Sequence, residues 1–440
     1  MEDILIKTHI VLLFIVYVYC FFRTLKRGPS FALGILFGVL YFIFIPYIIL
    51  IATGTLEISK ADYSQTNLHD IEFAGSIGES AMLIAYLYTI LLFTCLAGMK
   101  RRDVKWDNPL RIRWEAFFAA SVALSAIILI ASGLHHGGNW YTSRETFFRS
   151  YGVPALLLIY ITWATKLISI ASMLASFALG KMTLARSMAT SFFVGIAYAL
   201  IDGNRIYAFV TLAGLLILVL WKYGTKVLIY IALSLPFGYF FSIFRHVRVG
   251  MFKEGLPNPA QIYELSQQAL RKEPVSAKAF LMGISESVNL NVVYEIFKYI
   301  TPENALWGKT YAKVLFFVIP RNMWPGKPES ITVFAAHWFA PQAPHLSLVT
   351  TIIGEAHANF SILGIIILPM MLLLIDTILN RILDYSMLSR IIQFSIGILM
   401  FRMPFSDVML DVVAILILLV TFGVKIQGNS TRAFSRRGSF

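Results

Sequence analysis

Long apolar runs separated by shorter polar segments dominate this chain. A run of roughly 17 to 25 apolar residues is long enough to cross a hydrocarbon layer ~30 Å thick as a helix. Runs of about this length predict eleven membrane-spanning helices. The predicted spans cover residues 4–22, 30–53, 79–98, 114–133, 153–177, 187–203, 206–221, 226–243, 348–375, 388–403 and 407–424.

The composition agrees with this pattern. Of the 440 residues, 58% are hydrophobic and 14% are charged, a balance typical of a polytopic membrane protein and not of a soluble domain. The first apolar run is followed by Arg23, Lys26 and Arg27 instead of the small residues of a cleavage site. We therefore expect this run to remain as a helix. The predicted fold class is an all-α, polytopic bundle of membrane helices.

Lysine and arginine are concentrated in alternate connections between the predicted spans. Such connections stay on the cytoplasmic side, so the pattern places the N-terminus outside and the C-terminus inside. The basic connections beside anionic lipid explain much of the net charge of +13, so we expect membrane lipids, and no nucleic acid, as partners. The chain then divides into spans 1–8 (residues 1–243), a large outer loop (244–347), spans 9–11 (348–424) and a basic cytoplasmic tail (425–440).

The large outer loop is itself predicted to be partly helical. Asn258 as N-cap and Pro259 as the first helical residue begin a polar helix that should end before Pro274. From about residue 277 to 299, apolar residues recur at spacings of three and four and leave a polar opposite face. This second helix is too polar to cross the membrane. We expect it to lie at the interface, over the outer ends of the bundle, and to form part of a substrate cavity.

A proline-rich segment near the end of this loop carries two cations. It reads Ile319-Pro320-Arg321-Asn322-Met323-Trp324-Pro325-Gly326-Lys327-Pro328. Proline fixes φ and removes a hydrogen-bond donor, so a rigid irregular loop presents Arg321 and Lys327. One interpretation is a site for an anionic ligand. The other is a loop at the bilayer surface, with Trp324 as an interfacial anchor and the cations on lipid headgroups.

Four short motifs occur in a defined order across the second half of the chain. They are Gly203-Asn204-Arg205 at the start of a span, Phe244-Arg245-His246-Val247-Arg248, the proline-rich segment, and Gly354-Glu355 at the outer start of a later span. This order resembles the Wzy-type oligosaccharide repeat-unit polymerases of O-antigen and other surface polysaccharides. The resemblance covers roughly residues 200 to 365. The one departure from the family pattern is in the arginine cluster, whose spacing varies between members, and this leaves open whether Arg245 or Arg248 contacts substrate.

The resemblance implies a multispan helical bundle of the GT-C kind in the bacterial inner membrane. It implies glycosyl transfer between undecaprenyl-diphosphate-linked oligosaccharides at the periplasmic face, where the large loop would lie, with release of lipid diphosphate. It also implies a chain-length-regulating co-polymerase as a partner in the same membrane.

This reaction needs cations on the diphosphate. A guanidinium group binds phosphate oxygens through two parallel hydrogen bonds, which an ammonium group does not. For Arg205 the alternative is a structural role, either as a salt-bridge partner of Asp202 or as a side chain that snorkels to the membrane interface. The candidate substrate-binding residues are Arg205, Arg245, Arg248 and Arg321, with Lys327 and the ring of Trp324.

The reaction also needs one base for the attacking sugar hydroxyl. Glu355 and His357 lie at the outer end of an apolar span, two residues and hence about 200° apart on a helix, so we expect one of them to face the cavity. Glu355 matches the Gly-Glu motif, and a half-desolvated carboxylate is an effective proton acceptor. Two alternatives stay open: Glu355 as a structural partner of an arginine, and His357 as the base.

We expect no metal and no other cofactor. His337 and His345 have no carboxylate partner in sequence, and arginine can replace a metal cation at the diphosphate. Cys20 and Cys95 both fall within apolar spans, where we expect free thiols and no disulfide.

Two other classes of membrane protein are alternatives with a comparable arrangement of membrane spans. A lipid-linked oligosaccharide ligase would share the architecture and the leaving group and differ in its acceptor. A flippase or transporter would carry charged residues along several helices. In this chain the spans hold few charges, and Lys166 and Asp376 are interpreted as exceptions near span ends.

Overall fold

The computed structural model of the protein is helical over most of the residues that it describes. Arg245, Arg248, Arg321 and the predicted span 226–243 lie outside these residues. The described residues are 2–57, 66–97, 113–132, 140–202, 205–224, 259–272, 288–316, 319, 323–324, 326–342, 347–383 and 386–422, without the side chains of 140–150 and of several positions in 259–272.

The helices, in chain order, are α1 (Glu2–Leu25), α2 (Phe31–Thr53), α3 (Ile77–Ala97), α4 (Trp114–Ala131), α5 (Trp140–Ala178), α6 (Leu184–Asp202), α7 (Ile206–Tyr223), α8 (Pro259–Lys272), α9 (Val288–Tyr299), α10 (Lys309–Ala312), α11 (Ile331–Phe339), α12 (Thr351–Phe360), α13 (Gly364–Ile382), α14 (Met387–Leu399) and α15 (Phe405–Thr421). Strands β1 (Thr55–Leu56) and β2 (Ile71–Glu72) form a short antiparallel pair. A π-helical turn over Leu40–Phe44 lies within α2, and α5 has a kink at Gly152, whose φ of 56° favours glycine.

Eight segments of the described chain are long and apolar enough to cross a membrane. They are α1 to α4, residues Tyr151–Ala178 of α5, α6, α7 and the run Thr351–Ile382 formed by α12 and α13. They confirm an all-α, multi-pass membrane protein and coincide with eight predicted spans. Helices α14 and α15 occupy the last two, but they have 13 and 17 residues, and 13 residues extend only ~20 Å as a helix. The total of eleven stays a prediction.

The short helix α14 forms part of the centre of the bundle. All of its residues are buried, and it packs against α2 and α5. It crosses α2 closely because both helices have glycine at the contact: a Cβ on Gly34 would lie against the carbonyl oxygen of Phe394, and one on Gly397 against that of Phe31. Small residues at a crossing let two membrane helices pack backbone against backbone.

We expect Gly34→Leu to reduce the thermal stability of the purified protein strongly. Overpacking a tight contact costs about 1–3 kcal/mol, and here the obstacle is backbone, which cannot rotate away. Gly78→Leu is the matched control, since a Cβ at Gly78 meets nothing within 4 Å. Equal melting temperatures for the two variants in detergent would contradict the close crossing of α2 and α14.

The described part of the large loop packs onto the bundle. Helix α8 begins at Pro259 and ends at Lys272, as predicted. Helix α9 lies against α12 and α3, and it is buried more completely than an interfacial helix with a solvated polar face, because Asn291 and Glu295 are buried along with its apolar residues. The Asn291 amide donates to the His69 carbonyl oxygen at 3.0 Å, which ties α9 to the segment before β2. Residues of α9, α11 and α12 share a second apolar core beside the main one.

The two cysteines lie on neighbouring helices. Cys20 is on α1 and Cys95 is on α3, and their sulfur atoms are 3.8 Å apart. Both are free thiols in the structure. Their proximity shows that α1 packs against the last turn of α3.

Candidate functional site

A cavity of about 230 Å³ lies among α4 to α7, the residues just before α12 and the turn between α14 and α15. Its charged wall is formed by Lys166, Asp202, Arg402 and Asp407. Aromatic rings and hydroxyl groups also line it, among them Trp163, Tyr207, Ser125, Thr162, Thr332 and Ser347. Apolar side chains complete the lining: Ile128, Ile159, Ile206, Val349, Met403 and Pro404. Thr332 and Ser347 belong to the large loop, so this loop closes one side of a cavity that membrane helices form on the others.

Lys166 and Asp202 form a buried ion pair at the edge of this cavity. The Lys166 Nζ donates to Asp202 Oδ1 at 2.5 Å, and the two side chains are 1% and 12% exposed. The ammonium group also lies 5.6 Å and 5.5 Å from the ring centroids of Tyr198 and Tyr207, within cation–π range. Lys166 lies in the middle of the span Tyr151–Ala178, which corrects the interpretation that it is near a span end. The ion pair with Asp202 and the long apolar stem of the lysine side chain lower the free-energy cost of a charge in the middle of a span.

Asp407 stands at the start of α15, in the turn that Pro404 begins. Its Oδ1 accepts hydrogen bonds from the Lys313 ammonium and the Tyr160 hydroxyl, both at 3.3 Å. Ser406 Oγ lies 3.4 Å from the same oxygen. Asp407 is thus held by groups from α5 and from the segment after α10 while it lines the cavity.

Glu355 lies on α12 and is buried within a hydrogen-bond network of its own. The Thr310 hydroxyl donates to its Oε1 at 2.9 Å, and the backbone N–H of Phe405 donates to its Oε2 at 2.8 Å. Asn359 continues the network, donating to Thr310 Oγ1 at 2.7 Å and to the Glu355 carbonyl oxygen at 2.8 Å. Glu355 therefore satisfies the N-terminus of α15, the helix that carries Asp407, and is not among the residues that line the cavity.

His357 faces a different part of the bundle. Its Nδ1 is 3.3 Å from the Tyr86 hydroxyl oxygen, and its ring lies edge to face with Phe297, with centroids 4.9 Å apart. These partners belong to α3 and α9. Glu355 and His357 thus point to different neighbours, as their spacing of two residues predicts, and the assignment of the base to either stays a prediction.

The structure describes three of the six predicted substrate-binding residues, namely Arg205, Lys327 and Trp324. Arg205 is half-buried and immediately precedes Ile206 and Tyr207, which line the cavity. The Lys327 ammonium donates to the Ile319 carbonyl oxygen at 2.8 Å and so joins the two ends of the proline-rich segment. The Trp324 ring stands edge to face on Phe316 at 5.2 Å between centroids. Arg245, Arg248 and Arg321 lie outside the described residues.

No family model, curated protein or solved structure matches the chain. The chemistry of the site is therefore inferred from its own side chains. The cavity wall carries two cations, Lys166 and Arg402, and two carboxylates, Asp202 and Asp407, so its formal charge is balanced. A neutral ligand with many hydroxyl groups fits such a wall better than a dianion does, because it can donate and accept without leaving a charge unpaired. In the described chain, no group of three or more His, Cys, Asp or Glu side chains is placed to hold a metal.

Several of these cavity residues are absent from the sequence-based candidates. Arg402 at the end of predicted span 388–403 and Asp407 at the start of span 407–424 flank Pro404, and two ionisable residues at such a turn are a signal that could have identified them. Asp202 entered only as a salt-bridge partner for Arg205, whereas in the structure its Oδ1 accepts from Lys166.

Proposed function

We propose that the chain is a polymerase that joins undecaprenyl-diphosphate-linked oligosaccharide repeat units by glycosyl transfer at the periplasmic face of a bacterial inner membrane. The observation that supports this most is the charge-balanced cavity between membrane helices and the large loop, with the rings of Trp163 and Tyr207 among its walls. Aromatic faces and mixed hydrogen-bonding groups suit a sugar. At about 230 Å³ the cavity is smaller than the ~300–1,000 Å³ of pockets for drug-sized ligands, so it suits one sugar ring of a longer glycan.

The charge pattern assigns several segments that line the cavity to the same side of the membrane. Besides side chains of α4 and α5, the walls include residues at the turn before α7, in the large loop and at the turn between α14 and α15. The alternation of basic connections assigns each of these segments to the outer side. Eleven spans, a periplasmic N-terminus, a cytoplasmic C-terminus and a periplasmic loop over 244–347 are part of this proposal, as are an anionic lipid surface and a chain-length-regulating co-polymerase as partners.

The diphosphate of the donor needs cations beyond the balanced cavity. Arg205 directly precedes two cavity-lining residues in sequence, which makes it the first candidate to bind a diphosphate whose sugar occupies the cavity. Arg245, Arg248, Arg321 and Lys327 are the further candidates for this role, with Trp324 as a neighbouring aromatic contact. The reaction proposed is independent of metal, because guanidinium groups supply the positive charge at the leaving group.

We expect Arg205→Ala to reduce polymer formation about tenfold or more while protein remains in the membrane. A charge-assisted hydrogen bond to the diphosphate contributes roughly 1.5–3 kcal/mol, and 1.36 kcal/mol is tenfold in rate. Arg205→Lys should restore activity in part, since an ammonium group cannot form the bidentate hydrogen bonds that a guanidinium group forms with phosphate oxygens. Arg186→Ala is the matched control, because Arg186 is exposed on α6. Normal glycan ladders from Arg205→Ala would remove Arg205 from the site.

The surface glycan of a deletion strain tests the proposed function in the cell. Loss of a polymerase leaves a single repeat unit on the lipid anchor. Loss of a lipid-linked oligosaccharide ligase leaves anchors without any repeat unit. A single unit per anchor is the expected result, and bare anchors would favour the ligase.

A flippase or transporter is the second candidate, because the structure places ionisable groups inside the bundle. Lys166 and Asp202 are paired there, and Asp411 on α15 is buried with no hydrogen-bond partner for either carboxylate oxygen among the described residues. Buried ionisable residues mark transport pathways in many membrane proteins. A deletion strain that traps lipid-linked repeat units on the cytoplasmic face would favour this candidate.

A further inference from the structure

We propose that Asp407 is the general base that accepts the proton of the attacking sugar hydroxyl; this inference rests on the proposed polymerase function. Asp407 lines the cavity in which we place the sugar. Lys313 and Tyr160 both donate to its Oδ1 at 3.3 Å. Its Oδ2 has no hydrogen-bond donor among the residues that the structure describes, so one oxygen is held by the protein and the other is available to a ligand.

Glu355 has a different environment, which indicates a positioning role. Both of its carboxylate oxygens already accept hydrogen bonds, from Thr310 and from the backbone of Phe405, and the side chain is 1% exposed. A base must reach the proton that it removes, within hydrogen-bond distance or through one water. Glu355 instead accepts a hydrogen bond from the backbone N–H of Phe405, which lies in the first turn of α15, two residues before Asp407. It acts on the reaction through the placement of Asp407.

The proposed step is a substitution at the anomeric carbon of the donor unit. The hydroxyl oxygen of one lipid-linked unit attacks the anomeric carbon of another, and a carbon–oxygen bond forms. The bond from that carbon to the phosphate oxygen breaks, and the lipid diphosphate leaves with the electron pair. The hydroxyl proton moves to Asp407 Oδ2 and passes to water before the next turnover. Lys313 and Tyr160 are positioning residues that keep the other oxygen in place.

The test uses purified full-length protein in vesicles with lipid-diphosphate-linked repeat units. Asp407→Asn should lower turnover ~10²- to 10⁴-fold, the usual effect of losing a general base, with the affinity for the donor unit retained. Asp407→Glu should recover part of this loss. Glu303→Gln, the same kind of replacement on an exposed carboxylate of the large loop, should leave turnover unchanged.

Chemical rescue separates a base from a structural carboxylate. Asp407→Ala should gain turnover when formate is added, because a small carboxylate can enter the space left in the cavity, whereas Glu355→Ala should not. Wild-type turnover in Asp407→Asn, or no response of Asp407→Ala to formate while wild type polymerises, would overturn the inference and leave the proposed function standing. A wild-type protein that forms no glycosidic bond would overturn both.

Discussion

Lys166→Met is expected to remove most of the folded protein from the membrane. The variant leaves the Asp202 carboxylate buried without its cation, and breaking one side of a buried ion pair costs roughly 3–5 kcal/mol. This is a large part of the roughly 5–15 kcal/mol by which folded proteins are stable. Abundance in membranes and the melting temperature in detergent measure the effect.

The double variant Lys166→Met/Asp202→Asn should recover much of the lost stability, because no charge then remains unpaired. Arg113→Met is the control for an exposed pair: the Arg113 guanidinium lies 2.9 Å from Glu115, but its side chain is 79% exposed, and such pairs contribute ~1 kcal/mol or less. If Lys166→Met and Arg113→Met melt at the same temperature, the buried pair is not a stabilising element of the fold.

Glu355→Gln is expected to lower the free energy of unfolding by roughly 1.5–3 kcal/mol, the range for hydrogen bonds to a charged group. The carboxylate accepts from both Thr310 and the N-terminus of α15, whereas a glutamine side chain presents one acceptor oxygen. Turnover per folded molecule should fall less than in Asp407→Asn. Chemical denaturation and turnover, measured on the same purified sample, separate the two effects.

Glu329→Gln serves as the comparison for Glu355→Gln. The Glu329 carboxylate lies 3.3 Å from His337 Nδ1, is 39% exposed and is not among the residues that line the cavity, so we expect little change in stability or turnover. Unchanged stability of Glu355→Gln together with a 10²- to 10⁴-fold loss of turnover would instead make Glu355 the base, as the Gly-Glu motif suggests. A comparable loss confined to His357→Ala would assign that role to His357.

Features that depend on local sequence could be predicted well. Hydropathy alone located eight spans, because a membrane helix must be apolar along its whole length. The start of α8 at Pro259 and its end at Lys272 followed from an N-terminal proline and the approaching Pro274. The burial of Asn291 on α9 did not follow, since its partner is the carbonyl oxygen of His69, far away in sequence.

The candidate site depends on contacts that no local pattern encodes. The pairing of Lys166 with Asp202 joins residues 36 positions apart, and the bond from Phe405 to Glu355 joins residues 50 apart. The sequence indicated that one of Glu355 and His357 faces the cavity, because helix geometry sets the angle between them. In the structure the two side chains have different neighbours, and neither is among the residues that line the described cavity. It did not indicate that Glu355 accepts from the first turn of α15, which is a property of how the helices pack.

The most direct measurement is polymerisation by the purified protein in lipid vesicles, with a lipid-diphosphate-linked repeat unit as the sole glycan and without added metal. We expect products that grow by whole repeat units, with one lipid diphosphate released for each new glycosidic bond and with turnover that requires Asp407. Translocation of the lipid-linked unit across the vesicle membrane, with no new glycosidic bond and no released diphosphate, would contradict the proposed function.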